Sequence, residues 1–154
     1  MLNEILLNKW FFTFVVGWAV FFLLIDWSKI YKNIWGGLVA LILELWQDTT
    51  AANVGMYYIK APGIWLLKSS FFLSFGIVFT MGILFLQYLP KKPLFQLCHI
   101  FVFSFGFVIF EITVINYALL EEPHWNRIGS FFDNIIIMAA LAWLKQFVLK
   151  ISKN

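Results

Sequence analysis

SSFFLSFGIVFTMGILFLQY, residues 69–88, runs for twenty positions without a charged side chain. At a rise of about 1.5 Å per residue, such a stretch forms a helix of about 30 Å, the thickness of the hydrocarbon core of a bilayer. The rest of the chain has the same character. Hydrophobic residues make up 62% of 154 positions, charged residues 12%, and the mean hydropathy is +0.87. A soluble domain is about half apolar and a quarter charged, so this chain lacks the polar surface to cover itself in water. Its apolar residues come in runs, the pattern of bilayer-spanning helices.

Working outward from 69–88, four more apolar segments emerge, near 5–25, 30–46, 97–120 and 128–149. The segment 30–46 is short for a span and needs its flanks. LPKKP (89–93) and EEPHWN (121–126) break the chain with prolines and charges between successive spans. Between Gln47 and Lys68, TTAANVG has loop character. MYYIKAPGIWLL carries Tyr57, Tyr58 and Trp65 around Pro62-Gly63, the aromatic and polar mixture that favours the headgroup layer. The expected fold is all-α: one domain over 1–154, an integral membrane bundle of five transmembrane helices with a short interfacial segment between helices two and three. No internal repeat or low-complexity tract divides it. The opening stretch MLNEILLNKWFFTFVVGWAVFFLLIDW sets Glu4 beside a lone Lys9 and has no A-x-A-like site, so it is expected to be a retained first helix.

Lysine and arginine counts in short loops orient the bundle. The side holding the N-terminus, 47–68 and 121–127 carries four: Lys9, Lys60, Lys68 and Arg127. The other side carries seven: Lys29, Lys32, Lys91, Lys92, Lys145, Lys150 and Lys153. The bias places the N-terminus outside and the C-terminus in the cytoplasm. The net charge of +3 follows from this asymmetry and calls for no nucleic-acid partner. The expected partners are the lipid bilayer and a homo-oligomer or another membrane protein.

Acidic residues fall the opposite way. Glu4, Glu44, Asp48, Glu111, Glu121, Glu122 and Asp133 all belong to the outer half, and Asp26 alone to the inner. Glu44 and Asp48, four apart, share one face at the outer end of helix two. Buried there, they would share a proton or attract a cation; at a frayed helix end they would sit in interfacial water. Glu111 lies nine residues before the outer end of helix four, roughly 14 Å down. An ionised carboxylate at that depth costs at least ~2.5–3.5 kcal/mol on insertion scales, so it faces the bundle. Both helix–helix packing and ligand binding fit it. On helix five, Asn126, Ser130 and Asp133 follow i, i+4, i+7 and draw a polar stripe that ends halfway, as an outward pocket would and a channel would not.

Other polar groups carry less. Cys98, the single cysteine, excludes an internal disulfide and fits an apolar filler. His99 has the place of an interfacial residue. His124 sits at a loop tip near Glu121 and Glu122, without HExxH or comparable metal spacing. No Ser-His-Asp set, GxSxG or phosphate-cradling glycine loop is present, and no motif demands a cofactor. The chain therefore leans away from enzymes.

LPKKPLFQLCHIFVFSFGFVIFE, then Trp125-Asn126 fourteen residues on, then Ser130 and Asp133-Asn134, resembles an uncharacterised family of small multi-spanning membrane proteins of Bacillus- and Clostridium-type bacteria. Asp26-Trp27 after the first helix and an acid in the second, Glu44 or Asp48, share in the resemblance. It implies a bacterial cytoplasmic-membrane protein of four or five spans and no particular substrate. The expected function is non-enzymatic: binding of a small polar ligand, lipid headgroup or partner in an outward-facing acidic pocket of Glu44, Asp48, Glu111 and Asp133, with Trp125 and Asn126 at its mouth. The alternatives are a small proton- or cation-coupled transporter using Glu111, and a metal-dependent membrane enzyme built on Glu121, Glu122, His124 and Asp133.

Overall fold

The computed structural model describes residues 8–148. Glu4, the start of the first span near Ile5, Leu149, Lys150 and Lys153 lie outside them. Five helices make the body of the molecule: α1 (Lys9–Leu24), α2 (Ile30–Asn53), α3 (Phe71–Tyr88), α4 (Pro93–Asn116) and α5 (Arg127–Phe147). Three of them, α3, α4 and α5, are each long and apolar enough to cross a membrane; α1 and α2 pass that test only together, across a break bent by 95°.

α1 begins where the Asn8 side chain accepts from the Trp10 N–H at 2.8 Å. It stops at Ile25, and Asp26 caps a short 3-10 turn, Trp27–Lys29, by accepting from the Ser28 N–H at 3.1 Å. Two side chains from the end of α3 close this break. Gln87 Nε2 and Tyr88 Oη both donate to the Leu24 carbonyl, at 2.9 and 2.7 Å.

α2 is longer than the sequence implied. The stretch from Gln47 to Asn53, expected as loop, is helical. Its Thr and Asn residues are poor helix formers, but Asp48 and Ala51 are buried against the rest of the bundle, and that packing outweighs propensity. α4 runs one turn earlier than the expected 97–120. Pro93 suits the first helical position, where its missing N–H costs nothing. At the other end Ala118 adopts φ 57°, and the Leu119 N–H returns to the Val114 carbonyl at 2.9 Å, which stops the helix.

Two small ladders involve the segment between α2 and α3. β1 (Tyr58–Ile59) pairs antiparallel with β4 (Leu120–Glu121), and β2 (Trp65–Leu66) pairs with β3 (Ser69–Ser70). The β3 residues were expected at the start of the third span; α3 starts at Phe71 instead. β1–β4 ties the two connections at one end of the bundle together, and an exposed Lys60–Glu121 ion pair at 2.7 Å lies beside it.

α3 is the central post. α1 and α2 pack along it, α5 touches it, and α4 and α5 pack as a pair. Close approach comes from glycine. A Cβ at Gly82 would lie 2.6 Å from the Gly36 carbonyl oxygen, so α2 and α3 meet backbone to backbone. α3 also contains a π turn, Ser74–Val78, which shifts the register of its first half. Phe85, Leu86 and Leu141 are completely buried where α3 meets α5. The outer faces are apolar as well: Phe12 is 70% exposed, Val102 67% and Ile136 67%.

Candidate functional site

Toward the end of the bundle that carries the β1–β4 ladder, helices α2, α3, α4 and α5 leave a partly open cavity. Its upper wall holds Glu44 and Asp48 of α2, Glu111 of α4, and Glu122 and Trp125 of the α4–α5 connection. Leu73, Val78, Phe107, Ile137, Met138 and Leu141 make the lower part apolar. No lysine, arginine or histidine lines it among the described residues.

Glu44 and Asp48 lie one helical turn apart and within hydrogen-bonding reach of each other. Each is half satisfied. Ser69 Oγ donates to Glu44 Oε1 at 2.7 Å, and Ser74 Oγ lies 3.0 Å from the same oxygen. The π turn of α3 is where Ser74 faces α2. Tyr57 Oη donates to Asp48 Oδ1 at 2.6 Å. Burial and the charge of Asp48 push the Tyr57 hydroxyl well above its ordinary pKa, so it stays a donor. The second oxygens, Glu44 Oε2 and Asp48 Oδ2, are buried and meet no protein donor. Asp48 as a residue is 6% exposed.

Glu111 approaches from α4. Asn134 Nδ2 donates to its Oε1 at 3.3 Å, and its Oε2 is likewise buried without a partner. Trp125 Nε1 donates to Ser130 Oγ at 2.6 Å, and its ring meets Tyr57 edge-on with centroids 6.0 Å apart. Trp10 closes another side. It is 1% exposed, and its Nε1 donates to the Lys60 carbonyl at 2.9 Å, which pins α1 to the loop that carries Tyr57. At the mouth, burial pushes the Glu122 carboxyl up while Arg127 pulls it the other way.

Of the residues singled out from sequence, Glu44, Asp48, Glu111 and Trp125 therefore line one cavity. Asn126 does not: its side chain is exposed and caps α5 by accepting from the Gly129 N–H at 2.8 Å. Asp133 lies beside the cavity wall, facing Gln47 and Asp48 of α2, with its Oδ2 buried and unpartnered. The polar face of α5 that reaches the cavity is Ser130 and Asn134, one position round from the expected Asp133. Tyr57, Ser69 and Ser74 were not legible as site residues. Two serines five apart in an apolar run are the only signal, and it does not tell which helix they face.

His124 is exposed at the loop tip, and its N–H donates to the Met56 carbonyl at 3.2 Å. Among the described residues, no three His, Cys, Asp or Glu side chains gather in a metal-holding arrangement. No family model, curated protein or solved structure matches the chain.

Proposed function

We propose that this chain is a five-span protein of a bacterial cytoplasmic membrane, with its N-terminus outside and its C-terminus inside, that binds a small polar ligand, lipid headgroup or partner group in an outward-facing acidic pocket. Three helices suited to crossing a membrane and a largely apolar exterior support the setting. Side-chain contacts support five crossings. α1 is tied at its start to Lys60 and Ala61 and at its end to Gln87 and Tyr88, so it runs the length of α3. α2 runs back from Gly82 to Ser69.

One observation carries the binding reading. Glu44, Asp48 and Glu111 line the same cavity, and each keeps one buried carboxylate oxygen without a partner. A buried acceptor without a donor costs about 1–3 kcal/mol, more when charged. Packing alone leaves these oxygens without donors, whereas a ligand bearing N–H or O–H groups in the cavity would offer them. The cavity floor at Met138 and Leu141 is apolar, with Phe85 and Leu86 buried nearby, which favours a pocket over a carrier.

Accessibility labelling separates the two. In a Cys98→Ser background, Glu111→Cys is to be treated with a membrane-impermeant thiol reagent on right-side-out and inverted vesicles. The pocket predicts reaction from the outside only. Labelling from both faces, together with proteoliposome flux that Glu111→Gln abolishes, would establish the proton- or cation-coupled carrier instead.

A further inference from the structure

A second hollow adjoins the acidic cavity. It is a shallow groove between α1, α3 and α4, and the two share Phe107 and Phe110 in their linings. The rest of its lining is Val16, Gly17, Val20, Ile77, Met81 and Gly106, without one polar side chain. This hollow lies open on the outer surface of the bundle. Val16 and Val20 are 41% and 38% exposed, and a Cβ placed on Gly106 would meet nothing within 4 Å. A groove of this kind on a membrane-facing surface is dressed for an alkyl chain. Phe107 and Phe110, both partly exposed, line the groove on one side and the acidic cavity on the other.

The acidic cavity specifies the other end of the same molecule. Glu44, Asp48, Glu111 and Glu122 are the ionisable side chains of its wall besides Tyr57, with no basic side chain among the described residues that line it. Asp48 is nine-tenths buried, with one oxygen held by Tyr57 and the other without a partner. Trp10, Tyr57 and Trp125 supply aromatic surface beside these acids. Carboxylates with aromatic faces, in a site short of water, favour an ammonium group: the acids supply the charge and the rings attract a cation through their quadrupoles. An anionic head would find no basic partner among the described residues there.

Resting on the pocket reading above, we propose that the ligand is a cationic amphiphile. Its ammonium head lies among Glu44, Asp48 and Glu111, and its alkyl chain leaves sideways past Phe107 and Phe110 into the groove between α1 and α4. Entry is from the plane of the membrane rather than from water alone.

The test uses the full chain in lipid nanodiscs, with empty nanodiscs as the control for partitioning. Three probes are titrated by calorimetry: dodecylammonium, which has head and chain; methylammonium, which has the head alone; and dodecyl sulfate, which has the chain with an anionic head. Dodecylammonium should bind saturably, one per chain, and roughly tenfold or more tighter than either of the others, about 1.4 kcal/mol for each factor of ten. Gly106→Trp fills open space on the exposed side of α4, so the bundle should stay folded. It should weaken the long probe by roughly the same factor and leave methylammonium unchanged. Asp48→Asn should weaken both cations. Equal affinity for the two cations, or indifference of the long one to Gly106→Trp, would overturn the lateral path while leaving an acidic pocket. Preference for dodecyl sulfate would overturn the cationic head. Absence of saturable binding by either cation overturns the inference as a whole, and outside-only labelling at position 111 then reports on the pocket separately.

Discussion

At the scale of single residues, the molecule is governed by what happens to buried polar atoms. Tyr57 is the clearest case, because its hydroxyl is the donor that partners Asp48 Oδ1. Tyr57→Phe keeps the ring against Trp125 but leaves both oxygens of Asp48 without a protein donor. The loss should be about 1–3 kcal/mol, read as a lower melting temperature of the purified protein in detergent. Tyr57→Phe combined with Asp48→Leu should recover much of it, since removing both partners is far cheaper than removing one. A second case lies at the other end of the bundle. Lys29 and Ser28 hold the exposed Asp26 carboxyl down to about 2, against 3.8 for an ordinary aspartate. Its folded pKa is depressed, so whatever it adds to the α1–α2 turn is present above pH 3.8 and lost as pH falls through about 2. An NMR titration of the Asp26 carboxyl carbon should show a midpoint near about 2, and Lys29→Ala should return it toward 3.8.

At the scale of elements, glycines let helices meet backbone to backbone, the kind of contact that would hold a bundle together in the proposed membrane setting. Gly36 of α2 and Gly82 of α3 have no room for a side chain, whereas Gly106 of α4 has open space. The two positions therefore respond oppositely. Gly82→Ala pushes a methyl against the Gly36 backbone and should lower thermal stability by about 1–3 kcal/mol, the usual cost of overpacking. Gly106→Ala should be neutral or raise stability by about 0.5–1 kcal/mol, because alanine is the better helix former and meets nothing. Melting curves of the two variants side by side check both signs. The same contacts explain which parts of the elements were legible. Five apolar runs announce five helices, and Pro93 and Pro123 mark their breaks. The helical tail Gln47–Asn53 was hidden because Thr49, Thr50 and Asn53 carry loop propensity, and only burial of Asp48 and Ala51 by distant residues reverses it. The π turn in α3 leaves no mark at all in the apolar pattern, yet it accompanies the approach of Ser74 to Glu44.

At the scale of the whole molecule, side-chain contacts tie down both ends of the bundle. At the cavity end, Lys9 donates to the Tyr117 carbonyl and Lys60 pairs with Glu121. At the opposite end, Lys145 Nζ reaches the Leu86 carbonyl and Gln146 donates to Gln96. Spacing was enough to single out Glu44, Asp48 and Glu111, because acids that deep in apolar runs have few places to point. It could not tell Asp133 from Asn134 as the partner of Glu111. They are neighbours on α5, and the choice rests on how α4 and α5 are rotated against each other.

The most direct measurement is an experimental structure of the full chain in a lipid nanodisc, solved without added ligand. Carboxylates of Asp48 and Glu111 lining one space beneath Trp125, with non-protein density between them, are the predicted result. Asp48 and Glu111 turned outward to the acyl chains, or held at opposite ends of the bundle, would contradict it.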